Sequence, residues 1–378
     1  MTTVLIDTYA LADGSERRGM GTHLQHLLAG LAECRGLSIK ALADPATHLP
    51  ARVGYVSLGR RAPRRLRSLE HDMMLPRKLN SKTADIFLSP AQHPPRRSAI
   101  PWVQTLHDVI PLTYAHPALA RERRRWKRIA PRIRSANAVV AVSRFSADEA
   151  IRHLQVDPKV VHVIHHGVDT SVFHPGPSRR SEAEPGSPGK PRREDEPHSE
   201  SEPYLLHVAA WGPHKGFPEA LAVTCRLAER GLAHRLVLAG PHDPWMLEQI
   251  RAVVAASGCS DRVQMAGYVD DLAATYRGAS ALLLTSRCEG FGLPALEAMA
   301  CGTPVVAFAN SSLPEVIGEG GVLVADGDVD AMANEVRRVV QSADWRQDLV
   351  ERAVKRAGAF RWERAVKAYA ELLDAVAR

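Results

Sequence analysis

The chain has 378 residues, more than one hydrophobic core usually serves, so we expect two domains. Its composition, 45% apolar and 24% charged, is typical of a soluble globular protein. The net charge is +7, but aromatic residues make up only 5% of the chain and do not interleave with the basic runs, which argues against nucleic-acid binding.

The sequence also carries signals about cellular location. No apolar run approaches the length of a membrane span, and the N-terminus lacks the pattern of a signal sequence. The five cysteines are scattered, with no metal-type spacing. We therefore expect a cytoplasmic protein without disulfides. Basic residues concentrate at 60–67 and 121–128. They form either a solvated basic face or a surface attracted to the inner face of an anionic membrane.

The first half of the chain alternates predicted strands and helices. Strands are predicted at 4–6, 37–43, 86–88, 102–106, 138–142 and 160–164, and helices at 22–34, 119–135 and 147–154. Such alternation indicates βαβ units around a parallel sheet. We assign residues 1–174 to this first domain.

Residues 175–203 interrupt the pattern. The segment is rich in proline, serine and charge and has no aromatic or β-branched residue. It cannot bury enough apolar surface to offset the entropy of ordering, so it is predicted to be a disordered linker.

The alternation resumes in a second domain, predicted at 204–358. Strands are predicted at 204–210, 234–239, 262–266, 281–285, 303–308 and 321–324, and helices at 218–230, 246–257, 272–278, 294–301 and 331–341. The chain ends in a predicted helix within residues 359–378.

The most informative segment is EGFGLPALE at 289–297. It lies between two apolar runs that are typical of buried parallel strands. Pro294 suits the first turn of a helix, and Gly302 suits its end. The turn therefore lies at the carboxyl end of a strand, where open α/β sheets bind ligands. The backbone N–H groups of residues 290–293 and the helix dipole favour an anion such as a sugar diphosphate.

Two glutamates separated by seven residues, in EGFGLPALEAMACGTPVV, resemble the donor-binding signature of retaining GT-B glycosyltransferases of family four. The resemblance implies two facing Rossmann-like domains with a cleft between them and a final helix that crosses back to the first domain. It implies that Glu289 contacts the donor sugar and Glu297 the ribose. The adjoining residues Gly290, Phe291, Gly292 and Leu293 would complete the donor-binding turn.

The resemblance extends to shorter motifs. Lys215, in a loop between a strand and a helix, matches the family's lysine that neutralises the donor diphosphate, although Ala209 and Ala210 stand where the family typically has Gly-Arg. His107, at the end of a first-domain strand, resembles the histidine that faces the donor sugar. Gly21 resembles part of the family's glycine loop, and Val269 follows a strand near which the family places the nucleotide base. Lys215, His107 and Glu289 are the predicted catalytic residues.

Metal sites and a dinucleotide-binding site are less well supported by the residues. The sequence DGD at 326–328 has the spacing of a metal-binding D-x-D motif, but Asp328 is better placed to cap the following helix. His162, His165 and His166 are predicted to lie on a strand, with the last two on opposite faces, so they form no metal site. No metal and no cofactor are therefore predicted. A dinucleotide fingerprint at 19–21 is disfavoured, because these glycines lie well beyond the first strand.

The predicted function is transfer of a sugar from a nucleotide-diphosphate sugar to an acceptor hydroxyl, in polysaccharide, glycolipid or metabolite synthesis. The segment SSLPEV at 311–316 resembles mannosyl- and rhamnosyltransferases, which favours GDP-mannose over UDP or TDP sugars. A nucleotide-sugar epimerase or hydrolase on the same fold and a non-catalytic binding protein remain alternatives. The acceptor is unknown.

Deleting most of residues 179–201 should leave thermal stability and turnover nearly unchanged. The entropy of closing a flexible loop depends only logarithmically on its length, so halving the linker changes it by about 0.6 kcal/mol. Thermal melting and turnover of the shortened chain check this. A large drop in melting temperature would show that the segment packs against a domain.

Overall fold

The protein is described by a computed structural model covering residues 1–11, 19–43, 47–58, 67–176, 202–210, 212–241 and 244–378. The chain forms two compact units. The first comprises Met1–Gly167, Cys288–Leu293 and Phe360–Arg378, and the second comprises Val168–Arg287 and Pro294–Ala359. Most of the predicted linker, residues 177–201, lies outside the described residues, and the predicted domain boundaries stay predictions.

The first unit is built on a parallel sheet of seven strands in the order β3-β2-β1-β4-β5-β6-β7. The strands are β1 Thr2–Asp7, β2 Leu37–Ala43, β3 Gly54–Ser57, β4 Ile86–Ser89, β5 Trp102–Leu106, β6 Ala138–Ala141 and β7 Val161–Val163. The helices are α1 Gly19–Ala32, α2 Arg67–Lys78, α3 Ile110–Thr113, α4 Ala120–Ile133, α5 Arg144–Leu154 and, at the end of the chain, α13 Trp362–Ala377.

Both faces of this sheet are covered by helices. Val4 and Ile6 of β1 join the core beneath α1 and α13, whereas Leu5 joins the opposite core, because successive strand side chains alternate in direction. Tyr369 of α13 is fully buried, and its hydroxyl lies 3.0 Å from Thr105 Oγ1 of β5. Helix α13 is therefore part of the core of the first unit.

The second unit contains a parallel sheet of six strands in the order β10-β9-β8-β11-β12-β13. The strands are β8 Tyr204–Val208, β9 Arg235–Ala239, β10 Val263–Gly267, β11 Ala281–Leu284, β12 Val305–Phe308 and β13 Val322–Val324. The helices are α6 Phe217–Glu229, α7 Pro244–Ala256, α8 Leu272–Gly278, α9 Leu293–Ala300, α10 Leu313–Ile317, α11 Val329–Gln341 and α12 Ala343–Ala357.

Each sheet has a point where the direction of its connections reverses, between β1 and β4 in the first unit and between β8 and β11 in the second. Ligands of open α/β sheets bind beyond the carboxyl ends of strands at such points. The segment that begins at Glu289 follows β11 in the chain, so its position after the carboxyl end of a strand agrees with the prediction from sequence.

The predicted strands are confirmed with small shifts of their ends. Five further strands or α-helices of the described residues had not been predicted, namely β3, α2, α3, α10 and α12. Strand β3 is short and largely exposed, and α2 contains Pro76, so neither offers a clear apolar period. Helix α12 buries Leu349, Ala353 and Ala357, four residues apart, a helical pattern that the sequence did carry.

The expectation of a chain without disulfides is wrong. Cys225 of α6 and Cys259 are paired, with their Cα atoms 6.0 Å apart. They are 34 residues apart in the sequence, and only the packing of α6 beside the loop after α7 brings them together. Among the described residues, no helix has the length and apolarity needed to cross a bilayer.

Candidate functional site

In the second unit, the loop after β8 is fixed to the end of β11. Thr285 donates a hydrogen bond from Oγ1 to the Gly216 carbonyl at 2.6 Å, and Arg287 N–H donates to the His214 carbonyl at 2.8 Å. Gly216 has φ +66°, and a methyl group there would overlap the Thr285 carbonyl. Only glycine suits this approach, which holds Lys215 at the beginning of α6.

The two basic side chains near the loop after β8 differ in their contacts. Lys215 is partly buried, and its backbone N–H donates to the Gly212 carbonyl at 3.0 Å. Arg287 is bound to carboxylates. Its guanidinium lies 2.6 Å from Glu219 and 3.4 Å from Asp326. These hydrogen bonds raise the pKa of Arg287 and engage its charge within the protein.

A backbone hydrogen bond between two glycines joins the carboxyl ends of β9 and β10. Gly240 N–H donates to the Gly267 carbonyl at 2.6 Å, and both glycines have positive φ. A methyl group on Gly240 would overlap the Ala209 carbonyl. Val269, the predicted neighbour of the nucleotide base, is partly exposed two residues beyond Gly267.

Glu297 lies in α9 and is hydrogen bonded by Tyr276. The Tyr276 hydroxyl donates to Glu297 Oε2 at 2.9 Å. Burial raises the pKa of Glu297 to about 7, against the opposing effect of that hydrogen bond, and burial also raises the pKa of Tyr276. The helix ends as predicted, because Gly302 adopts a left-handed conformation with φ +72° directly after its last turn.

In the first unit, residues 288–293 pack against the carboxyl ends of β5 and β6. The Gly290 carbonyl accepts hydrogen bonds from Ser143 Oγ at 2.6 Å and Ser146 Oγ at 3.0 Å. A methyl group on Gly290 would overlap the His107 carbonyl, so the approach depends on glycine. Glu289 is 7% exposed. The two serine contacts tie residues 288–293 to the strand ends of the first sheet.

His107 is one of three buried histidines whose rings are in contact. His107 Nδ1 lies 3.4 Å from His166 Nε2, and His166 Nδ1 lies 3.0 Å from His23 Nδ1. His107 Nε2 lies 2.8 Å from the Pro90 carbonyl. We call His23, His107 and His166 the histidine cluster. Burial lowers the pKa of His107 to about 4, and it also lowers the pKa values of His23 and His166 well below the usual range of histidine.

This cluster was not predicted. His165 and His166 were expected on a strand, but β7 ends at Val163, so that expectation is wrong. His23 lies on the buried face of α1, among apolar residues whose helical spacing is visible in the sequence. Gly21 is buried in the first turn of the same helix, which extends over the glycines expected to form a loop.

The predicted site residues are distributed over both units. The first unit holds Gly21, His107, Glu289, Gly290, Phe291, Gly292 and Leu293, and the second holds Lys215, Val269 and Glu297. Asp328 caps α11 as predicted, by accepting a hydrogen bond from the Ala331 N–H at 2.8 Å. Over the described ranges, no group of three or more histidine, cysteine or acidic side chains is arranged to hold a metal ion.

Solved structures with the same architecture define the class of protein. The chain superposes on sucrose-phosphate synthase from Thermosynechococcus elongatus with a TM-score of 0.80 and 20% identity, over 99% of each chain. WaaG, a glycosyltransferase involved in lipopolysaccharide biosynthesis, gives a TM-score of 0.73 at 16% identity, over 98% of this chain and 99% of that one. The two parallel-sheet α/β units are thus those of the GT-B fold.

Sequence comparisons identify the family. Residues 190–356 match the family described as glycosyl transferases group 1, and residues 17–172 match glycosyltransferase family 4. A D-inositol 3-phosphate glycosyltransferase of Frankia alni is 30% identical over 328 residues, 77% of this chain and 78% of that one. The chain therefore belongs to the glycosyltransferase family described by these two matches, glycosyl transferases group 1 and glycosyltransferase family 4.

A second relative is similar over a shorter stretch. The O-antigen chain mannosyltransferase B of Escherichia coli is 33% identical over 163 residues, which is 42% of each chain. The chain therefore spans less than half the length of this relative.

The histidine cluster should make stability sensitive to acid. An unfolded histidine takes up a proton near pH 6.5, whereas folded His107 does so only near pH 4. The contribution of His107 to the free energy of unfolding is therefore complete above pH 6.5 and is lost as the pH falls towards 4. Replacing His107 by glutamine should therefore reduce the fall in unfolding free energy between pH 7 and pH 5 by about 2 kcal/mol.

Urea unfolding at the two pH values measures this difference. The exposed His162, replaced by glutamine in the same way, is the control. Because the folded pKa of Glu297 is raised, this group makes the free energy of unfolding rise as the pH falls through this range, opposite to the effect of His107. The effect of Glu297 is the same in all variants and cancels when they are compared. An equal pH dependence in the wild type and the His107 variant would contradict the prediction.

Proposed function

We propose that the protein transfers a sugar from a nucleotide-diphosphate sugar to an acceptor hydroxyl with retention of configuration. The observation that carries the proposal is that residues 289–297 follow the carboxyl end of β11 in the chain and lead into the first turns of α9. Membership of the glycosyltransferase family supports the reaction type. We further propose residues 1–174 and 204–358 as the two domains, joined by 175–203 and completed by the helix within 359–378.

The leaving diphosphate requires stabilisation of its growing negative charge. Lys215, held at the start of α6 by the Gly216 contact, supplies a cation. The backbone N–H groups of Gly290, Phe291, Gly292 and Leu293 lead into the positive end of α9 and add fixed dipoles. Preorganised groups of this kind act without a metal ion and favour the transition state, in which the charge develops.

The two glutamates have separate roles in this proposal. Glu289 is buried beside the strand end that carries His107 and orients the donor sugar. Glu297 is held by Tyr276 and accepts hydrogen bonds from the ribose hydroxyls. Since burial brings the pKa of Glu297 to about 7, the group is available both as carboxylate and as acid near neutral pH. Val269 and Gly21 border the nucleotide and the phosphates.

The donor and the acceptor are identified less closely. Likeness to an O-antigen chain mannosyltransferase supports mannose as the transferred sugar, in line with the GDP-mannose expected from residues 311–316, and a place in polysaccharide or glycolipid synthesis. The Anabaena protein HepE, solved with UDP and glucose, has a TM-score of 0.72 at 17% identity over 99% of this chain and 100% of that one, and it supports a uridine nucleotide as the alternative.

The basic surface of the first unit supports a peripheral contact with an anionic membrane. Helix α4 buries Trp126, Ile129 and Ile133 on one face. Arg121, Arg124, Lys127 and Arg128 are exposed on the other. Basic residues close to such a surface contribute about 1 kcal/mol each. A lipid-linked acceptor, presented at the inner face of a membrane to a cytoplasmic enzyme, fits this charge distribution.

A panel of GDP-, UDP- and TDP-sugars with and without lipid-linked acceptors tests the function. We expect transfer from GDP-mannose, with the anomeric configuration kept and with full activity in EDTA, because positive charge comes from Lys215 and backbone amides. Hydrolysis or epimerisation without transfer would favour the alternative enzymes on this fold. Loss of activity in EDTA, restored by manganese, would assign a metal to Asp326 and Asp328.

Substitution of the two glutamates by glutamine separates their roles. Glu297 should bind ribose equally in the ground and transition states, so E297Q should mainly raise the donor KM, by roughly ten- to a hundredfold. Glu289 holds the sugar whose anomeric carbon reacts, so E289Q should mainly lower kcat.

Steady-state kinetics of both variants with the preferred donor measure the two effects. Glu229, exposed at the end of α6 where it pairs with Arg226, offers a control as E229Q. Silence of both glutamate variants, or an exchange of their effects on kcat and KM, would show that the roles are assigned wrongly.

A further inference from the structure

We propose that the Pro90 carbonyl fixes His107 as a neutral ring protonated at Nε2, so that His107 acts on the sugar through its shape and not by proton transfer. His166, itself held by His23, is a positioning residue that donates a hydrogen bond to the other ring nitrogen of His107. The positioning role rests on the proposed function of His107 beside the donor sugar. The tautomer assignment itself depends only on hydrogen-bond geometry within the first unit.

The assignment begins at a backbone carbonyl. His107 Nε2 lies 2.8 Å from the Pro90 carbonyl oxygen, which can only accept a hydrogen bond. The proton of the neutral ring must therefore be on Nε2, and Nδ1 must carry a lone pair. The opposite tautomer would place two lone pairs against each other in a buried site, where His107 is 8% exposed.

The remaining two protons follow from the first. His107 Nδ1 can only accept, so His166 Nε2, at 3.4 Å, must donate. His166 Nδ1 then carries a lone pair, and His23 Nδ1, at 3.0 Å, must donate to it. Each ring thus sets the tautomer of the next, and a single carbonyl determines all three.

His23, the last ring in this series of hydrogen bonds, agrees with the assigned donors and acceptors. His23 Nε2 is left with a lone pair, and it is a buried nitrogen without a hydrogen-bond partner. An N–H at this position would be a buried donor left unpaired, which is less common than an unpaired acceptor. His23 and His166 are 1% and 4% exposed. Trp362, Tyr369 and Phe291 surround their rings.

The cluster is neutral at pH 7, as the assignment requires. Burial lowers the pKa of each of the three histidines, and each neighbouring ring that carries charge would lower the pKa of His23 and His166 further. The two ring nitrogens of His107 are both engaged within the protein. A general acid or base needs a nitrogen that faces the substrate, so His107 is assigned a steric and orienting role.

Imidazole NMR of the full-length protein labelled with ¹⁵N tests the tautomers directly and needs no donor. At pH 7 we expect His107 and His166 as Nε2–H tautomers and His23 as the Nδ1–H tautomer. The signals are assigned by their loss in single glutamine variants at positions 23, 107 and 166. An Nε2–H tautomer of His23, or an imidazolium at any of the three positions, would overturn the assignment.

Kinetics of two variants at position 166 test the positioning role. In His166→Gln the side-chain amide can still donate to His107 Nδ1, whereas His166→Leu leaves that buried acceptor unpaired. We expect the leucine variant to lower kcat/KM roughly ten- to a hundredfold, with most of the loss in kcat, and the glutamine variant to recover most of it. His162→Gln, on the exposed part of β7, is the control.

The outcomes distinguish this proposal from the proposed function. Equal activity of the leucine and glutamine variants would refute the positioning role in an active enzyme. If no nucleotide sugar is turned over, the proposed function fails, while the wild-type NMR spectrum still confirms or refutes the tautomers. Because that spectrum requires only the native protein, a leucine variant that does not fold leaves the proposal decidable.

Discussion

The two sheets are wholly parallel, and this constraint determines where chemistry can occur. Parallel strands need crossovers that return to the starting edge, so the carboxyl ends of all strands in a sheet lie along one edge and their loops meet there. In the first sheet this edge carries His107 after β5 and Ser143 after β6. In the second it carries Lys215 after β8 and the turn after β11.

Close backbone packing, rather than side-chain bulk, shapes these edges. Glycines at 216, 240 and 290 each stand where a methyl group would overlap a neighbouring carbonyl. The chain can therefore bring the loops after different strands into direct backbone contact. Arg287 is fixed by Glu219 and Asp326 in the same region. Its charge is balanced there, which leaves Lys215 and backbone dipoles as the groups assigned to the diphosphate.

Local patterns made most of the fold predictable. Buried parallel strands appear in the sequence as short apolar runs between turns. The motif from Glu289 to Glu297 is one unbroken stretch that follows such a run, so its place after a strand end could be inferred. The capping role of Asp328 followed from the same local logic. The edge strand β3 was missed because exposure removes the apolar run that marks the others.

Contacts between distant residues were not predictable in the same way. The histidine cluster joins positions 23, 107 and 166, and the disulfide joins 225 and 259, so neither has a period or spacing of its own. Histidine is also too common on buried helix faces for His23 to suggest a partner. Only the sheet order, which puts α1, β5 and the segment after β7 together, makes these contacts visible.

The raised pKa of Glu297 has a consequence for the heat of donor binding. With a pKa raised to about 7, the side chain is partly protonated at pH 7 when no donor is bound. In the proposed role of Glu297, ribose hydroxyls donate to the carboxylate form, so donor binding would be coupled to release of a proton into the solvent. The enthalpy seen by calorimetry then depends on the ionisation enthalpy of the buffer that takes up this proton.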